Sequence, residues 1–147
     1  MSVAQGSLNP SDNRTIGLIS LAHGTSHFYH LVLPPLFPWL KIEFALSYAE
    51  LGLLMTIFFV VSCVVQASSG FLVDHKGARP VLFAGVGLLA MSALTYAVSS
   101  SYVGLVIGAV LMGCGNGVFH PVDYTLMNHK ISPKRLPYAY SFHGVTG

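Results

Sequence analysis

Charge is what this sequence of 147 residues lacks most: only 8% of it is Asp, Glu, Lys or Arg, against about 25% in a typical soluble domain. So few charges cannot cover a water-facing surface, which excludes an ordinary soluble domain even though the length would suit one. Cysteine is scarce too. Cys63 and Cys114 both fall inside apolar runs, where a thiol behaves as a small buried hydrophobe, so they say little about redox compartment. No basic stripe interleaved with aromatics occurs, which removes support for nucleic-acid binding.

Long uncharged runs take the place of charge. Residues 15–40, 51–73 and 80–122 contain no Asp, Glu, Lys or Arg, and Ser99, Ser100 and Ser101 divide the last run into two. About 20 apolar residues at 1.5 Å rise cross a hydrocarbon core of about 30 Å. The expected fold is therefore an all-α membrane protein with four transmembrane helices and the start of a fifth. A flexible tail is expected over residues 1–14, then helices near 15–40, 48–73, 80–98 and 102–127, and an incomplete one at 136–147. Placing the amino terminus in the cytoplasm puts Arg14, Lys76, Arg79, Lys130, Lys134 and Arg135 on the inner side and only Lys41 outside. That distribution follows the positive-inside rule.

Local signals mark the ends of these helices. Pro34, Pro35 and Pro38 should bend or end the first, where Trp39 suits an interfacial belt. Ser47 and Glu50 have capping-box spacing at the start of the second. Pro80 suits the first turn of the third, and the short SSSY link requires the third and fourth to be antiparallel neighbours. The pairs Gly104 with Gly108 and Gly113 with Gly117 have G-x-x-x-G spacing, which predicts close helix packing; a hinge or ligand-facing groove is the alternative.

Ionisable residues inside a span cost about 2.5–3.5 kcal/mol for a central Asp, Lys or Arg and therefore normally face a cavity or a partner. His23, His27 and His30 are spaced i, i+4, i+7 on one helix face. Imidazole titrates near neutrality, with a reference pKa of about 6.5, so these residues are candidates for a proton or substrate pathway as well as plain cavity-facing polar groups. Two His at i, i+4 can ligate a metal, but no nearby Asp, Glu or Cys completes a set, so neither a metal nor any other cofactor is expected. His120 and Asp123, at i, i+3, should share a face. Asp123 is either a helix-end carboxylate paired with Lys130 or Arg135, or a proton-coupling or substrate-cation contact. Pro121 should kink the helix and free a backbone carbonyl, and Gln66 is a weaker polar candidate.

One segment concentrates charge: GFLVDHKGARP, residues 70–80. Gly70 permits close helix approach and Gly77 a positive φ. Asp74 has the wrong sign for the carboxyl end of its own helix and so calls for a partner, either Arg79 or the amino end of another helix.

The pattern G-x-L-x-D-x-x-G-x-R, carried by Gly70, Leu72, Asp74, Gly77 and Arg79, resembles the signature between helices two and three of the major facilitator superfamily. His75 and Ala78 stand where that signature commonly has basic residues. The resemblance implies a conformational-switch loop: Asp74 and Arg79 belong to a cytoplasmic latch between transporter halves, Gly70 to helix packing and Gly77 to the turn. SLAHGTSHFYHLVLPPLFPWL (residues 20–40) and GCGNGVFHPVDYTL (residues 113–126) are similar to the fosmidomycin-resistance branch. This implies a proton-coupled exporter of a drug or small polar metabolite in the inner membrane, with the amino-terminal fragment inactive without the missing carboxyl-terminal half. Its partners would be the substrate, protons and the lipid bilayer. The competing readings are a histidine-based membrane metalloenzyme and a small oligomeric membrane protein.

Overall fold

The computed structural model describes residues 10–147. All regular structure among them is helical: α1 (Pro10–Val32), α2 (Phe37–Glu43), α3 (Tyr48–Lys76), α4 (Ala78–Val98), α5 (Tyr102–Asn116), α6 (Phe119–Lys130) and α7 (Leu136–Thr146). Among the described residues three helical segments are long and apolar enough to cross a membrane: α3, α4 and the run Tyr102–Lys130 that α5 and α6 make together. The expected count of four spans is therefore met in three. The remaining candidate, α1, carries Asp12, Arg14 and three histidines, which lower its apolar content.

Residues 10–14, expected to belong to a flexible tail over 1–14, already form the first turns of α1; residues 1–9 lie outside the described residues. Asp12 explains the extension. Its buried carboxylate accepts from Ser132 Oγ at 2.7 Å and from Ser132 N at 3.4 Å, tying the start of α1 to the link before α7.

The prolines act where the sequence places them. α1 stops at Val32, a 3-10 turn covers Pro34–Leu36, and α2 then carries Pro38 in its first turn. The capping box at α3 is complete: Ser47 N donates to Glu50 Oε2 at 2.8 Å and Glu50 N donates to Ser47 Oγ at 3.2 Å. At the next junction the anticipated loop shrinks to one residue. Gly77, with φ 84° and ψ 153°, alone separates α3 from α4, a conformation that side chains beyond glycine rarely adopt. Asp74, His75 and Lys76 therefore complete α3, and Arg79 opens α4.

Small residues set the bundle's spacing. A Cβ on Gly113 would lie 2.7 Å from Phe58 O, and one on Gly117 would lie 2.6 Å from Ser62 O, so this G-x-x-x-G pair fits α5 against α3. Gly115 faces the other way, and its Cβ would lie 2.8 Å from Gly85 O of α4. Close packing is thus the role of this glycine group. Ser92 Oγ donates to Gly108 O at 2.8 Å, adding a buried polar tie between α4 and α5. Gly70 departs from the expected packing role: it is exposed, and among the described residues nothing approaches within 4 Å of where its Cβ would be.

The kink foreseen near Pro121 is a break between α5 and α6 at Gly117–Val118. Proline has no N–H to offer the carbonyl four residues earlier, which is Gly117 O. That oxygen instead accepts from Ser69 Oγ of α3 at 3.5 Å.

Candidate functional site

The apolar bundle encloses one concentration of ionisable side chains, drawn from α1, α6 and α7. His23 and His27 face inward from α1, one turn apart, with ring centroids separated by 4.5 Å. α6 presents His120, whose ring lies 5.0 Å from that of His23 and 5.9 Å from that of His27. Asp123 follows one turn later. Its side chain is fully buried, and Oδ2 lies 3.4 Å from His23 Nδ1. The i, i+3 relation of His120 and Asp123 does place both against the same neighbour.

His143 of α7 completes the group, and the sequence reading did not include it. Its ring is 3.7 Å from that of His23, and its Nε2 is 4.0 Å from Asp123 Oδ2. The signal was the same that flagged the other histidines, an ionisable residue in an apolar helix, but the short stretch before Gly147 gave no full span on which to weigh it. Gly24 allows the approach of α7: a Cβ there would stand 3.0 Å from Thr146 O. The core of Ile16, Ile19, Met127, Ile131 and Ala139 lies between α1, α6 and α7 and holds them together on one side of the cluster.

Burial leaves this cluster short of partners. Neither oxygen of Asp123, neither nitrogen of His143 nor His23 Nδ1 makes a hydrogen bond among the described residues, although all are shielded from solvent. Asp123 is 0% exposed, which rules out a helix-end carboxylate at the surface, and it pairs with neither Lys130 nor Arg135. The expectation that no carboxylate stands near the histidines to complete a ligand set is likewise corrected: the fold brings Asp123 to His23 and His143.

His30 is peripheral. Its ring lies 4.7 Å from His27 but packs on Phe58 at 5.2 Å and Phe59 at 5.8 Å, about two turns of α1 beyond His23, which meets the carboxylate. A second polar feature missed in the sequence lies nearby: buried Asn116 accepts from Ser62 Oγ at 2.7 Å and donates to Ser26 O at 3.4 Å, linking α5 to α3 and α1 at the break before α6. Gln66 is exposed on α3 and takes no part in the cluster. Asp74 and Arg79 are both exposed, and no ion pair joins them among the described residues.

Residues 19–147 match the Major Facilitator Superfamily. The chain is 30% identical over 99 residues to the uncharacterized MFS-type transporter YvkA of Bacillus subtilis, covering 67% of this chain and 22% of that protein. It is 26% identical over 106 residues to the fosmidomycin resistance protein of Escherichia coli, covering 72% and 26%. To a multidrug resistance protein B homolog of Mycobacterium tuberculosis it is 26% identical over 123 residues, covering 84% and 23%. No solved structure matches it. The chain thus spans about a quarter of the length of these curated relatives. With its apolar helices and a match covering all but the first 18 residues, this multi-pass membrane chain belongs to the Major Facilitator Superfamily.

Proposed function

We propose that the chain is part of a proton-coupled secondary transporter, not an enzyme, that exports a drug or small polar metabolite across the inner membrane. Its amino terminus lies in the cytoplasm, and α1 serves as a further span. Asp123 carries this reading: a fully buried carboxylate in an apolar bundle, faced by two imidazoles from different helices. Such a group costs free energy, and a proton that moves between carboxylate and imidazole gives it a use. His27 and His120 extend the path from His23, and His30 lies at its far end.

The names of two relatives, a fosmidomycin resistance protein and a multidrug resistance protein B homolog, support drug export. Transporters of this family place substrate between two halves near the bilayer midplane. The remaining helices are therefore partners, as are substrate, protons and lipid, and these 147 residues alone do not transport. Asp74 and Arg79 form the latch of the switch loop, with its counterpart outside this chain, which agrees with their exposure and with the lack of an ion pair between them among the described residues.

The test uses inside-out vesicles carrying the intact transporter, with fosmidomycin as probe, a metal chelator present throughout and proton movement followed by a pH-sensitive dye. Asp123→Asn should abolish proton-coupled fosmidomycin flux, and His27→Ala should shift its pH profile. Flux with an unchanged pH profile in both variants would overturn the reading.

A further inference from the structure

Three features make the deepest part of the cluster more than a proton relay. First, its composition: His23, Asp123 and His143 supply two imidazoles and one carboxylate, all buried, with one ligand atom from each lying within 4.8 Å of the others. That donor set suits first-row divalent metals, zinc among them. Second, the spacing: two ligand atoms of a zinc tetrahedron, each about 2.1 Å from the ion, are about 3.4 Å apart. His23 Nδ1 and Asp123 Oδ2 are separated by 3.4 Å, and His143 Nε2 stands 4.0 Å from the same oxygen. Third, beyond their contacts with one another these atoms have no polar partner. His23 Nδ1, both Asp123 oxygens and both His143 nitrogens are buried without a hydrogen-bond partner among the described residues. Native proteins seldom leave that many buried polar atoms unsatisfied in one place.

We propose that His23, Asp123 and His143 form a binding site for one divalent transition-metal ion of the zinc class, held between α1, α6 and α7. A neutral imidazole nitrogen and a carboxylate oxygen are the atoms such an ion binds. A cation at this position offsets the buried carboxylate and gives His23 Nδ1, Asp123 Oδ2 and His143 Nε2 a common partner. His27 and His120 form a second grouping with His23, with one ligand atom from each lying within 4.8 Å of the others. They are only half-buried, which places them toward the approach to the site and leaves the buried trio as the seat. Three protein ligands leave a fourth tetrahedral position open to water or to a substrate donor atom. The inference shares residues with the transport reading but does not require that the protein transport anything.

The test is metal binding to the intact protein, purified in detergent and stripped with chelator. Zinc should bind at one equivalent per chain. Cobalt(II), as a spectroscopic substitute, should show the visible absorption of a low-coordinate nitrogen and oxygen site that added zinc abolishes. Asp123→Asn and His143→Gln, both close in size to the native residues, should each weaken zinc binding by about tenfold or more, with an unchanged gel-filtration profile. His129→Ala, at an exposed histidine remote from the cluster, should bind as the unaltered protein does. No saturable zinc binding by the folded wild-type protein would overturn the proposal, as would a cobalt spectrum typical of the hydrated ion. Undiminished affinity in either folded cluster variant would do the same. Because binding is read without flux, its failure leaves the vesicle experiment standing, and failure of that experiment leaves this one standing.

Discussion

Two parts of the molecule collect its few ionisable groups, and they do so in opposite ways. At the α3–α4 turn, Asp74, His75, Lys76 and Arg79 crowd around Gly77 and all are exposed. In the interior, His23, Asp123 and His143 are separated by 100 and 20 residues along the chain yet meet in a buried group. The turn is compact in sequence and, among the described residues, forms no ion pair; the cluster is dispersed in sequence and assembled in space. Charge that is cheap to keep, in water, needs no partner within the chain, whereas charge that is costly to keep gathers its neighbours around it.

The strongest way to break this contrast is at Asp123. Exchanging it for Asn removes a buried carboxylate without hydrogen bonds, so thermal stability in detergent should rise, by up to about 3 kcal/mol, while proton-coupled flux is lost. A fall in melting temperature would mean that the carboxylate supports the fold. At the turn, Gly77→Ala forces a side chain into a backbone region that costs about 1–3 kcal/mol, which a lowered thermal midpoint should register. Near the cluster, Ser62→Ala leaves Asn116 Oδ1 without its buried donor and should cost about 1 kcal/mol, the scale of interhelical hydrogen bonds in membranes. Smallest in stability is Asp74→Asn, expected within about 0.5 kcal/mol of wild type. Its effect should appear in transport by the intact protein, with membrane insertion unchanged. Unimpaired transport would remove the latch and leave the turn a solvated connection.

The same contrast explains what the sequence made legible. Helix limits set by local chemistry could be read directly: the Ser47–Glu50 box, the breaks at Pro34 and Pro121, and the glycine seam of Gly113 and Gly117 all depend on residues a few positions apart. His23, His27, His120 and Asp123 were visible because each interrupts an apolar run. What periodicity could not supply was which helix faces which. The Asp12–Ser132 tie spans 120 residues and brings α1 beside the start of α7, so neither the early start of α1 nor the arrival of His143 was local information. The metal-ligand argument failed for the same reason, since it looked for a carboxylate near the histidines in sequence and the fold provides one near them in space. Gly70 shows the reverse case, a motif position whose expected packing role no contact among the described residues fulfils.

The interruption between α5 and α6 has a mechanical meaning. With Pro121 removing one rung of the ladder, the run Tyr102–Lys130 is two short rods set end to end. The glycines that seat the bundle, from Gly104 to Gly115, ride on the first rod; His120 and Asp123 ride on the second. Gly117 sits at the joint, gripped by the backbone of α3. His120 and Asp123 are therefore carried by a separate helix of 12 residues, set by its own packing on the far side of an anchored joint.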